Sequence, residues 1–188
     1  MEKVIIGISG KEGSFSEEAA AEYVRENSIE NHAISYLVSV ENVLRGLDAG
    51  EINLGIFPIE NSNGGLVIEA VYAMAKHTFS IEKLFEIDVR QNLMCIHGVN
   101  PGDISVIASH QQALRQCRMY LKRKWPEVDL KEWEDTAAAA SDLAAGKLTK
   151  NTAVIAPKRS AQLYGLEIIE ENIQDLKFNF TTFLAVRK

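Results

Sequence analysis

VIIGISGKEGSFSEEAA, residues 4–20, is the stretch whose reading decides the fold. VIIGI is a β-branched apolar run of strand length, and the turn after it is made of small polar residues. Ser14 and Glu17 stand at capping-box spacing ahead of the alanine stripe, so the segment predicts a strand that hands over through a Gly-rich turn to a helix. The pattern recurs. ISYL (34–37) and NLGIF (53–57) are further strand runs separated by amphipathic segments, which is the βαβ rhythm of a parallel sheet covered by helices. It restarts at ISVIA (104–108) and TAVIA (152–156). The expected class is therefore α/β, with mostly parallel sheets flanked by helices.

FSIEKLFEIDVRQNLMCIHG (79–98) is too long for one ordinary strand and has no helical stripe, which makes it an extended crossover between two lobes. Lobe one is expected to hold residues 1–82 with 170–188, and lobe two residues 83–169, the two forming one catalytic unit. Ser39 is expected to cap the helix carrying Val40, Val43, Leu44 and Leu47. Ser109 with Gln112 has capping-box spacing ahead of Ala113, Leu114, Cys117 and Leu121, which share one helical face. Thr136 is expected to cap AAAASDLAAG, which ends at Gly146.

Composition excludes several classes. A chain of 188 residues with 46% hydrophobic content can bury a substantial core. Its net charge of −6 argues against a nucleic-acid or anionic-membrane surface, and Lys122, Arg123 and Lys124 sit where a helix end favours cations. No apolar run approaches membrane-spanning length, and MEKVIIGISG enters a strand without a signal peptide, so a cytoplasmic protein is expected. Cys95 and Cys117 have neither CxxC nor metal-ligand spacing and read as reduced buried thiols, with no metal site.

Three polar turns remain. In GSFS (13–16), Gly13 makes the turn and Ser14 caps; the alternative adds backbone N–H groups aimed at a carboxylate, with Phe15 and Ser16 beside them. PIENSNGG (58–65) reads as a loop, yet Glu60, Asn61 and Ser62 follow NLGIF at its carboxyl end, where open α/β sheets bind ligands. Thr181 and Thr182 alternate with Phe180 and Phe183 as a half-buried edge strand would. His32 and His77 read as surface or helix-end residues and His97 as a strand end, while His110 occupies a strand–helix turn.

Together these residues resemble the catalytic domain of prephenate dehydratases over essentially the whole chain. GKEGSFSEEAA (10–20) is similar to the family's opening Gly-rich turn, and Pro58, Ile59, Glu60, Asn61 and Ser62 match its PIENS signature. Ser109, His110, Gln111 and Gln112 resemble its Ser-His-Pro-Gln turn, and DTAAAA (135–140), with Thr136, its Ser/Thr-rich helix entrance. YGL (164–166) and NFTTF (179–183) complete the order. The sequence departs from the pattern twice: Thr182 stands where the family has arginine, and Gln111 where it has proline.

The resemblance implies a two-lobed fold like that of type II periplasmic binding proteins, with a ligand cleft between lobes. It also implies decarboxylating dehydration of prephenate to phenylpyruvate in phenylalanine biosynthesis. Aromatisation supplies the driving force from within the substrate, so no cofactor is implied. Thr181 is the implied donor to the leaving hydroxyl, with Asn61 and Ser62 orienting the substrate. Ser14, Phe15, Ser16, Glu60, Ser109, His110, Gln111, Thr136, Asn179 and Phe183 are the implied binding residues. A prephenate decarboxylase that does not aromatise its product and a non-catalytic small-anion binder are the alternatives. The family's phenylalanine-sensing ACT domain has no counterpart in the five residues after NFTTF. A small-molecule substrate is the expected partner, with a homodimer or a separate regulatory chain as further partners and neither nucleic acid nor membrane.

Overall fold

The computed structural model describes residues 3–188; Met1 and Glu2, the start of the expected direct run into the first strand, lie outside them. It contains two compact units, one of residues up to Asp88 with Asn179–Lys188, the other Val89–Phe178.

Unit 1 begins with β1 (Val4–Ile8), α1 (Phe15–Glu26), β2 (His32–Tyr36), α2 (Val40–Ala49) and β3 (Leu54–Asn61). β4 (Gly65–Leu66), α3 (Ile68–Met74) and β5 (Ser80–Asp88) follow. Unit 2 holds β6 (Asn92–Ile96), β7 (Val106–Ser109), α4 (Gln111–Gln116), α5 (Arg118–Lys124) and β8 (Asp129–Glu132). It continues with α6 (Thr136–Ala144), β9 (Thr152–Ala156), α7 (Lys158–Tyr164) and β10 (Leu166–Glu170), and β11 (Phe180–Arg187) returns to unit 1.

Both sheets are mixed. Strand order is β2-β1-β3-β11-β5 in unit 1, with β4 on β3, and β10-β6-β9-β7-β8 in unit 2. The βαβ parts are parallel as expected: β1 with β2 and β3, β7 with β8 and β9. The strands next to the crossings are antiparallel, because chain continuity demands it. The chain leaves unit 1 at Asp88 and re-enters beside it, with Phe180 paired to Asp88, so β11 must run back against β5. β6 and β10 are related in the same way through Leu93 and Glu170. Unit 1 accordingly runs to Asp88 where 82 was expected, and unit 2 runs to Phe178 where 169 was expected.

Alternation along β11 sorts the core of unit 1 onto two sheet faces. Leu184 and Val186 pack with Val40, Val43, Leu44 and Leu47 of α2 and with Ala70 and Ala73 of α3. On the other face Phe183 stacks on Phe85, ring centroids 6.0 Å apart, and Phe85 meets Tyr23 of α1 at 5.7 Å. Thr181 and Thr182 therefore do not lie on an edge. β11 is an interior strand held on both sides, by β3 and β5.

Two capping expectations shift by one residue in unit 2. His110, not Ser109, caps α4, its Nδ1 accepting the Gln112 N–H at 3.3 Å. Asp135, not Thr136, caps α6 by accepting the Ala138 N–H at 2.9 Å. Ser39 caps α2 as expected, and Gly50 closes that helix in the left-handed region at φ 71°. Ala113, Leu114, Cys117 and Leu121 are buried together, yet their helix is interrupted at Cys117. There the Asp175 carboxylate accepts the N–H groups of Met119 and Tyr120 at 2.7 and 2.8 Å, starting α5 as a new helix.

Candidate active site

The polar turns of unit 1 meet at one end of its sheet. β3 extends through PIEN rather than ending at Phe57, because its last residues pair with both β4 and β11. Glu60 and Asn61 are thus strand residues with fixed directions, where a loop had been expected. Register puts Thr181 opposite Asn61 and Ile87, and Thr182 opposite Glu60 and Glu86. Directly opposed residues share a face, so Thr181 and Asn61 lie on the α1 face with Phe183, and Thr182, Glu60 and Glu86 on the other.

Asn61 is the hub. Its Nδ2 donates to Thr181 Oγ1 at 2.8 Å, Asn179 Oδ1 at 2.9 Å and the Phe180 carbonyl at 3.2 Å. Its Oδ1 accepts the Asn63 N–H at 3.1 Å, which fixes which way the amide points. Asn179 is fully buried and Thr181 is 8% exposed, so these bonds form where water competes little. Because the amide donates to Thr181 Oγ1, the hydroxyl keeps its own proton for another acceptor. Ser62 ties the turn down: its N–H donates to the Phe180 carbonyl at 2.8 Å, and its Oγ accepts the Phe180 N–H at 3.0 Å.

The N-terminus of α1 stands on the same sheet face. Ser14 Oγ accepts the Glu17 N–H at 3.4 Å, and the Glu17 carboxylate takes the Gly13 N–H, closing the predicted cap. Gly13 adopts φ 83°, a left-handed conformation that favours glycine. A Cβ on Gly10 would collide with Ser14 Oγ, so glycine is needed there for close approach. Ser14 and Ser16 are buried and Phe15 is half-buried. The N–H groups of Phe15 and Ser16, in the first turn, have no partner among the described residues and suit a carboxylate.

Of the other expected site residues, Phe183 and Ser109 are engaged within the core, while Glu60, His110 and Gln111 are exposed. Phe183 is 1% exposed and stacked in the core. Thr182 Oγ1 donates to Glu86 Oε1 at 3.3 Å, on the face away from Thr181, and Glu60 is exposed on that same face. In unit 2, Ser109 is fully buried and its Oγ donates to the Ile155 carbonyl at 2.6 Å, locking β7 to β9. His110 and Gln111 are exposed at the carboxyl end of β7, and Gln111 Nε2 donates to Glu132 Oε1 at 3.0 Å. Thr136 is buried in the first turn of α6. Ser9, just after β1, has a buried hydroxyl with no hydrogen-bond partner among the described residues, and the sequence expectations had not singled it out. A lone serine in a Gly-rich turn carries no signal that would single it out.

The family model for prephenate dehydratase matches residues 6–188. A bifunctional chorismate mutase/prephenate dehydratase of Stutzerimonas stutzeri is 32% identical over 94% of this chain and 47% of its own length. The chloroplastic arogenate dehydratase 5 of Arabidopsis thaliana is 36% identical over 71% of this chain and 31% of its own. The chain thus spans about half or less of these curated relatives. The solved structure of the Arthrobacter aurescens prephenate dehydratase in complex with L-Phe aligns with a TM-score of 0.87 at 28% identity, over 98% of this chain and 60% of that one.

Proposed function

The chain belongs to the prephenate dehydratase family, and from that premise we propose that it converts prephenate to phenylpyruvate by coupled loss of carbon dioxide and water, serving phenylalanine biosynthesis in the cytoplasm. The observation that carries this reading is the Asn61 amide bonded to Thr181 Oγ1. Prephenate becomes aromatic when its ring carboxylate and ring hydroxyl depart together. The protein then has to orient the dianion, stabilise the departing oxygen and leave the departing carboxylate poorly solvated.

With its oxygen held by Asn61, the Thr181 O–H donates to the leaving hydroxyl. A threonine hydroxyl is a weak acid, so it stabilises the leaving oxygen by hydrogen bonding rather than by full proton transfer, and the departing hydroxide takes from solvent the proton that makes it water. The N–H groups of Phe15 and Ser16 receive the substrate carboxylate that is retained. Asn179 and Ser62 position the Asn61 hub and are not themselves assigned contact with the reacting atoms.

Incubation of the purified chain with prephenate at neutral pH, followed by assay of phenylpyruvate, tests the proposal. Turnover above the spontaneous rate is expected. A non-aromatic decarboxylation product, or no turnover, would reject it; preferential conversion of arogenate to phenylalanine would move the substrate assignment.

A further inference from the structure

Unit 2 has a cavity of about 420 Å³ that shares no residue with the candidate active site. Its size falls within the range of small-molecule pockets, roughly 300–1,000 Å³. The side chains around it are part polar and part apolar. Met119 and Leu176 are 66% and 60% exposed, and the buried Ile173 lies beside them, so apolar surface faces the cavity without covering.

The charged groups are specific. Tyr120 donates its O–H to Glu170 Oε2 at 2.8 Å while accepting Trp125 Nε1 at 3.3 Å, which holds the Glu170 carboxylate in place. Burial pushes the Tyr120 phenol up to about 12, so it stays a donor across the working pH range. The second oxygen of Glu170 has no partner among the described residues, and neither has the Arg123 guanidinium. Arg123 and Glu170 line one cavity without pairing with each other. Gln174 spends its Oε1 on the Gln91 N–H at 3.0 Å and keeps its amide donors. Asp175 has both oxygens engaged on the start of α5. The cavity thus offers one cation, one anion, the amide groups of Gln174 and Asn172, and an apolar wall.

We propose that this cavity binds a free α-amino acid with an apolar side chain, its carboxylate on Arg123 and Gln174, its ammonium on Glu170, and its side chain against Met119 and Leu176. A polyanion would meet Glu170 and Asp175, and a bare cation would leave Arg123 unanswered. A zwitterion satisfies both charges, and the apolar wall selects its side chain. The proposal is independent of the assignment of Thr181.

Calorimetric titration of the full chain with L-leucine, L-methionine and L-phenylalanine is the test. At least one is expected to bind with one-to-one stoichiometry. Arg123→Gln and Glu170→Gln are each expected to weaken it by ~10-fold or more, the size of one charge-assisted hydrogen bond. Thr181→Val is expected to leave affinity unchanged. 4-Methylpentanoate and 3-methylbutan-1-amine, each carrying half of the leucine head group, are expected to bind at least ~10-fold more weakly than leucine. No binding at millimolar probe, undiminished affinity in both charge variants, equal binding of the half-ligands, or loss of binding in Thr181→Val would overturn the proposal. Methyl resonances of Met119 and Leu176 provide a second readout if Glu170→Gln unfolds: they are expected to shift on titration of the unmodified chain, and their failure to move would also overturn it.

Discussion

Unit 1 and unit 2 each present a serine at a strand–helix turn, and the two serines do opposite things. Ser14 caps a helix of 12 residues whose first-turn N–H groups stay open, on the sheet face that carries Thr181. Ser109 is fully buried and donates to Ile155, leaving the cap of a six-residue helix to His110. A turn of the right composition is thus no guarantee of a ligand contact. What decides is whether a given polar group is already consumed by the fold, as the Ser109 hydroxyl is.

The sharpest way to break this comparison is at the Asn61–Thr181 pair. Thr181→Val removes the proposed donor to the leaving oxygen and is expected to lower kcat by roughly 10²-fold or more with little change in KM, because that interaction would belong to the transition state. Asn61→Leu frees the hydroxyl to rotate and is expected to act in the same direction. Thr182→Val, on the opposite face, is expected to be mild by comparison. Steady-state kinetics giving equal losses for Thr181→Val and Thr182→Val would remove Thr181 from the chemistry.

Ser109→Ala tests the other half. It leaves the Ile155 carbonyl buried without its donor, so a stability loss of about 1–3 kcal/mol is expected in denaturant unfolding. kcat per folded molecule should hold. A large fall in kcat/KM at unchanged stability would instead give Ser109 a role on the substrate.

A smaller effect is expected from Thr182→Arg, which restores the residue of the family pattern. Register places the new side chain between Glu60 and Glu86, so its charge is answered by two carboxylates before it meets any ligand. A change in kcat/KM of only a few-fold and a modest gain in stability that shrinks with added salt are expected. A tenfold or greater gain in substrate affinity would show that the cation reaches the ligand.

The smallest expected effect lies at His77, far from an idle surface residue. Its Nδ1 pairs with Asp48 at 2.6 Å and its Nε2 with Glu41 at 3.3 Å, while Lys76 holds the other Glu41 oxygen at 3.1 Å. The hydrogen bond that His77 donates to Asp48, aided by Glu41, raises the His77 pKa. A group whose pKa is raised on folding contributes its full stability below the unfolded value, near 6.5, and loses it as pH rises through the folded value. The Tm difference between the unmodified chain and His77→Gln should therefore be largest in mildly acidic solution and vanish toward alkaline pH. Glu41 is lowered, first by Lys76 and then by His77, so its part fades as pH falls through the acid range. A difference independent of pH would show that packing, not charge, holds this corner.

The local sequence was enough for whatever depends on neighbours along the chain. VIIGI followed by a Gly turn and Ser14 with Glu17 determines strand, turn and capped helix, because each interaction closes within a few residues. The stripe from Val40 to Leu47 likewise determines which face of α2 is buried. Only the tertiary structure decided the rest. Whether PIEN is loop or strand depends on β11, more than a hundred residues away, and the break at Cys117 depends on Asp175. Ser109 and Thr136 lost their expected caps to His110 and Asp135, since adjacent residues can each offer an acceptor and strand register selects the one that faces the helix. Thr181 could be named from its motif, but its proton was assigned only by the Asn61 amide across the sheet. Long-range pairing fixes side-chain direction, and direction decides which partners a hydroxyl meets.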